Sequence, residues 1–257
     1  MTEPVPEPAD VWAPLRASTQ ARIGLGRAGC ALPTTRVLEF QAAHAAARDA
    51  VHEPLDVESF RARVATVGIG DPVAVTSRAT DRAEYLKRPD LGRLPADLSA
   101  ITRSDTEIGF VLADGLSPRA LSEHGVGLLT QLVVELRPHY SVAPPVIATQ
   151  ARVALGDHLG AAMGVHTLVV VIGERPGLSV ADSLGIYLTH LPRPGRADSD
   201  RNCISNIHPP DGLSYERAAH TTATLIAGAR QLGRSGVALK DTSADELSAS
   251  QAVTIEA

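Results

Sequence analysis

Aromatic side chains are scarce in this chain of 257 residues, which has three Phe, four Tyr and one Trp. So few rings leave little surface on which bases could stack, and a formal charge of −5 offers no general attraction to a phosphate backbone. Nucleic acid is therefore not an expected partner. Cysteine is rarer still. Cys30 and Cys203 are far apart in the chain and make no disulfide framework, which fits a reducing compartment. No apolar run approaches the roughly 18 residues of a membrane helix. Pro4, Pro6, Pro8 and Pro14 interrupt the first thirty positions, where a secretory segment would lie. The expectation is a cytoplasmic protein with no membrane contact. Lysine occurs only at Lys87 and Lys240, so positive charge resides almost wholly on arginine, the residue suited to bidentate anion contacts and interface ion pairs.

Several catalytic motifs are missing as well. Nine histidines include no HExxH, no CxxC accompanies them, and the close pair Asp157-His158 stands at the opening of a helical stretch. No protein-bound metal is expected. No Gly-x-Ser-x-Gly elbow supports a hydrolase, and no residue is assigned a catalytic role. Gly24-Leu25-Gly26-Arg27-Ala28-Gly29 does match the dinucleotide fingerprint, which would make the chain a stand-alone nucleotide-binding oxidoreductase. That fingerprint needs a strand before it and a helix opening on its third glycine. Here LRASTQAR precedes it at helical spacing and Pro33 follows too soon, so a glycine-rich turn between helices is the better account.

What is present is an ordinary globular composition, 44% hydrophobic and 21% charged, enough for a sizeable core. Residues 1–13 read as a disordered lead and 241–257 as a solvated tail. Over 14–100 the pattern is mainly helical, with helices expected at 14–22 and 34–52, the second capped by Thr34 or Thr35. From about residue 101 short apolar runs alternate with helical stretches. Strands are expected at 108–112, 145–149, 168–172 and 186–190, with helices at 118–137, 156–163, 179–184 and 214–232. That alternation predicts an α/β fold with a parallel sheet in the manner of a doubly wound domain, spanning 101–240.

Open parallel sheets bind ligands beyond the carboxyl ends of their strands. Three expected loops there are rich in polar residues and glycine: Gln150-Ala151-Arg152-Val153, Gly173-Glu174-Arg175-Pro176-Gly177, and Asp200-Arg201-Asn202-Cys203-Ile204-Ser205-Asn206-Ile207-His208. If their strands are adjacent and parallel, all three open on one edge.

The segments GERPGL at 173–178 and DRNCISNIH at 200–208 resemble signature segments of the ethanolamine ammonia-lyase small subunit. LRASTQAR at 15–22 with GRAG at 26–29, YLKRPDLGR at 85–93 and ADGLS at 113–117 resemble the same family in the same order, so the likeness covers about residues 14–240. It implies a Rossmann-like C-terminal domain behind a mainly helical N-terminal region. It also implies a hetero-oligomer with a large subunit that carries the substrate site. Ethanolamine would be converted to acetaldehyde and ammonia with adenosylcobalamin, which lies between the subunits. The contacts implied for this chain are the backbone amide of Val153, the Glu174 side chain and Cys203. Many cobalamin mutases carry an Asp-x-His-x-x-Gly loop; Ser122-Glu123-His124-Gly125-Val126-Gly127 is the nearest approach and lacks the aspartate, so the benzimidazole-on cofactor is expected. A shorter lead than in some members and the extension 241–257 leave enclosure in a bacterial microcompartment open.

Overall fold

The computed structural model describes residues 10–241. The expected lead and tail therefore lie, apart from residues 10–13 and 241, outside the described residues. Six strands form one sheet: β1 (Val73–Thr76), β2 (Ile108–Ala113), β3 (Val146–Thr149), β4 (Thr167–Gly173), β5 (Leu184–His190) and β6 (Asn202–Ile207). Their order is β1-β3-β2-β4-β5-β6. The first four are mutually parallel, whereas β5 runs antiparallel to β4, and β6 antiparallel to β5.

The fold is thus α/β, but the sheet is mixed rather than parallel throughout. The error traces to one connection. An antiparallel neighbour needs no crossover helix, and of residues 179–184, expected to be helical, 179–183 form part of an irregular loop and Leu184 opens β5. The same reversal turns the expected loop around Cys203 into β6. Strand β1 was missed because four residues with only Val75 buried carry almost no pattern.

Seven helices are found among the described residues: α1 (Ala13–Ala17), α2 (Thr34–His52), α3 (Val57–Ala65), α4 (Arg82–Lys87), α5 (Pro118–Leu136), α6 (Leu155–Met163) and α7 (Tyr215–Leu232). The helix expected over 14–22 is only the short α1. In α2, Thr34 is the first helical residue behind Pro33, and no side chain caps the end. Helix α5 has clearer causes. Ser117 Oγ accepts from the Ala120 amide, Pro118 fills the first turn, and Leu121, Gly125, Leu128, Leu132 and Leu136 recur at helical spacing on one buried face.

Both faces of the sheet carry core. Ile108, Phe110, Leu112, Val169 and Val171 pack with Phe60 of α3 and the apolar faces of α5 and α7. Val111, Ala113, Ala148, Val170 and Ile172 pack with Leu155, Leu159 and Met163 of α6. Toward β5 and β6 this second face opens, so that Tyr187 is half-buried and Cys203 and Ser205 are exposed. The connections β2–α5–β3 and β3–α6–β4 lie on opposite faces, which leaves a crevice at the carboxyl ends of adjacent β2 and β3.

Candidate functional site

Asp114 follows β2 directly and is 2% exposed. Its carboxylate accepts the backbone N–H groups of Gln150 at 2.8 Å and Ala151 at 3.0 Å, drawing the loop after β3 onto the end of β2. Gln150 adopts φ +51°, the left-handed turn this approach requires. Burial pushes the Asp114 carboxyl up to about 6, against the pull of the two amides and of Arg82, whose Nη1 is 3.7 Å away.

The YLKRPDLGR segment closes one side of the crevice. Tyr85 is fully buried and donates its hydroxyl to the Ala151 carbonyl at 3.0 Å. Burial raises its phenol well above the ordinary value. The guanidinium groups of Arg152 and Arg82 stand 4.6 and 4.9 Å from the centroid of its ring. Arg152 also donates its amide to the Gly92 carbonyl at 2.8 Å, and any side chain at Gly92 would meet the Tyr85 ring.

On the other side stands Glu174, just after β4. Its Oε2 accepts from Ser183 Oγ at 2.8 Å and from the Asn206 amide at 3.2 Å. That amide is free because β6 bulges between Ile204 and Ile207, with Asn206 at φ +63°. Oε1 lies over Gly185, where a Cβ would stand 3.0 Å away, and accepts no hydrogen bond among the described residues.

Val153 and Glu174 line one cavity of about 270 Å³, together with Tyr85, Arg152, Gly173 and Tyr187. Val153 sits one residue before Ala154, the N-cap of α6, and its N–H is engaged by no hydrogen bond among the described residues. Such an orphan donor at a helix start suits an acceptor on a ligand. Cys203 does not line this cavity. It lies within β6, paired in register with Tyr187 of β5. Burial of the pair pushes Tyr187 up to about 12 and raises the thiol, although Cys203 as a residue is exposed. The three expected contacts are therefore joined differently from the expectation: two share a cavity at the strand ends, and the third reaches it only through Tyr187.

Sequence reasoning passed over Asp114, Tyr85, Arg82 and Tyr187. Only their presence in the family-like segments ADGLS and YLKRPDLGR signalled the first two. Gly24 to Gly29, by contrast, form irregular chain between α1 and α2 with no strand before them, and Gly24 packs against Trp12. The nucleotide-fingerprint reading finds no geometry here. No helix among the described residues is long and apolar enough to cross a membrane.

The fold is that of an α/β chain with an open cavity, edged by Glu174 and Arg152, at the carboxyl ends of its parallel strands. The chain belongs to the family of the ethanolamine ammonia-lyase light chain, whose model matches residues 9–240. The ethanolamine ammonia-lyase small subunit of Rhodococcus erythropolis is 68% identical over 257 residues, covering all of both chains. That of Bradyrhizobium diazoefficiens is 48% identical over 238 residues, covering 90% of each chain. That of Xanthomonas campestris pv. campestris is 45% identical over 250 residues, covering 94% of this chain and 91% of the relative. The protein is a subunit of a lyase and acts as part of a complex with a large-subunit partner.

Proposed function

We propose that this small subunit helps to bind adenosylcobalamin where it meets the large catalytic subunit, in a cytoplasmic hetero-oligomer of paired subunits that converts ethanolamine to acetaldehyde and ammonia. The observation that carries the proposal is the cavity between Val153 and Glu174 with its unmatched polar groups. Besides the Val153 amide and Glu174 Oε1, the buried Arg152 Nε has no hydrogen-bond partner among the described residues. Buried polar atoms rarely stay unpaired, and a ligand whose rim carries both N–H donors and carbonyl acceptors fits such a mixed set.

Adenosylcobalamin, when bound, supplies radical chemistry through its cobalt–carbon bond. What this chain does is hold and screen. The Val153 amide would donate to a carbonyl of the cofactor and Glu174 Oε1 would accept an amide N–H from it, while Ser183 and the Asn206 amide hold Oε2 in place. Cys203 and Tyr187 present the open end of the sheet to the same ligand. A cavity of about 270 Å³ takes an edge of so large a cofactor, which leaves the remainder to the partner. Residues 101–240 are the proposed cobalamin-binding part, with no catalytic group of their own. The benzimidazole-on cofactor is proposed because His124, in the segment nearest to the mutase loop, lies within α5 and does not line this cavity.

The test is a titration of adenosylcobalamin into co-expressed complexes. Glu174→Ala is expected to weaken binding about ten- to a hundredfold, since a hydrogen bond to a charged group contributes about 1.5–3 kcal/mol. Saturating cofactor should restore most of the rate. Equal midpoints would remove Glu174 from the site, and turnover of ethanolamine by this chain alone would remove the proposed division of labour.

A further inference from the structure

Away from the crevice, α5 and the β4–β5 loop bring together a second set of polar side chains. Glu123, His124 and Asp182 each offer a ligand atom, and these atoms all lie within 4.8 Å of one another. None of the three lines the cofactor cavity. We propose that they form a divalent-cation site that ties α5 to the β4–β5 loop.

The composition of the cluster selects the cation. One imidazole with two carboxylates suits a borderline first-row ion such as Zn²⁺ or Mn²⁺ better than Ca²⁺ or Mg²⁺, which prefer oxygen alone. Bond lengths of about 2.0–2.2 Å would draw the three atoms together by about 1 Å, within reach of side-chain rotation. Glu123 is exposed and Asp182 partly exposed, so water can complete the coordination.

The His124 ring is already held for this role. Tyr215 Oη lies 2.7 Å from Nδ1, so an Nδ1–H can donate to the phenol oxygen and leave Nε2 as the ligand atom. Ligating histidines usually donate their second ring N–H to such an outer partner. The Tyr215 ring is fixed in turn against α5, where a Cβ on Gly127 would come within 2.7 Å of it. The carboxylates are not fully matched without a cation. Arg119 Nε binds Glu123 Oε1 at 2.9 Å, but Asp182 accepts no hydrogen bond among the described residues.

A cation here would act on the cofactor site through the loop. Residues 174–183 begin at Glu174 and end at Ser183, its hydrogen-bond donor, and Ser117 Oγ already binds the Ala181 carbonyl at 2.9 Å. Closing Asp182 onto α5 would hold that loop at a second point.

The experiment is calorimetric titration of Zn²⁺ alone into the metal-stripped full chain at neutral pH, followed by thermal unfolding with and without the ion. One equivalent is expected to bind and to raise the melting temperature. Asp182→Asn, a loop change that should leave folding intact, and His124→Ala should each abolish that binding. Tyr215→Phe should weaken it about ten- to a hundredfold by releasing the imidazole. Wild-type protein that binds no Zn²⁺, or that binds it as tightly after Asp182→Asn, overturns the proposal, because the ion would then sit on other groups.

Discussion

Arg201 donates from both terminal nitrogens to Asp157, at 2.6 and 2.7 Å, and each side chain is 2% exposed. The pair joins α6 to the start of β6, and Thr189 Oγ1 accepts a further bond from Arg201 at 3.0 Å. It explains why the edge strand can reverse direction and still sit firmly on the sheet. Breaking such a pair leaves one charge buried and unmatched. Arg201→Met alone should therefore destabilise the chain by about 3–5 kcal/mol, whereas Arg201→Met with Asp157→Leu should recover much of the loss. Urea unfolding of both variants checks this; equal destabilisation would mean that packing rather than charge dominates.

Gly173 ends β4 against the turn after β2. A Cβ on it would stand 2.1 Å from the Ser117 carbonyl oxygen, and backbone cannot step aside as a flexible side chain does. Gly115, across the contact, sits at φ +53° with its own Cβ position 2.2 Å from the Gly173 oxygen. Gly173→Ala should cost about 1–3 kcal/mol by overpacking and displace Glu174. Thermal unfolding and cofactor titration should both respond; a change in neither would mean the loop is more yielding than its contacts imply.

Tyr85 separates the support of the crevice from its lining. Tyr85→Phe keeps the ring under Arg152 but leaves the buried Ala151 carbonyl without its donor, at a cost of about 1–3 kcal/mol. Because Ala151 lies two residues from Val153, cofactor affinity should fall with it. Tyr85→Leu should lose more, since the cation–π contacts of Arg82 and Arg152 go as well. Denaturant midpoints for the three proteins give the order directly.

Asp114 should make stability depend on pH in an unusual direction. Its folded pKa is raised from 3.8 to about 6 by burial, so the folded chain holds a proton that the unfolded chain has released between those values. Stability from this group is full below the unfolded pKa and is lost as pH rises through about 6. The swing is about 3 kcal/mol at most. Asp114→Asn should remove that swing while costing stability at every pH, because one amide oxygen replaces two carboxylate oxygens that each held an N–H. Unfolding measured at pH values on either side of this window, for both proteins, provides the comparison.

Much of the fold is legible in the sequence, and the reasons are local. The three parallel-strand expectations at 108–112, 145–149 and 168–172, with helices at 118–137, 156–163 and 214–232, rest on apolar periodicity, serine caps and glycine stops that act within a few residues. The loops that carry Val153 and Glu174 were legible as segments following β3 and β4, whereas the two residues themselves were singled out by the family resemblance. The family itself was legible from short segments in order, among them GERPGL and DRNCISNIH.

What only the tertiary structure decided is direction, register and pairing. Nothing in the residues 184–190 distinguishes a parallel from an antiparallel strand, since both are buried apolar runs, and the hydrogen bonds to β4 alone reveal which it is. That choice turned an expected helix into a loop and put Cys203 on a strand beside Tyr187 rather than in the crevice. Asp157 stood in the sequence beside His158 as a weak metal-ligand pair, yet its partner is Arg201, 44 residues away. Asp114, Tyr85 and Asn206 likewise bond across distances of 32 to 66 residues, and no local pattern encodes a contact whose two halves meet only when the sheet has formed.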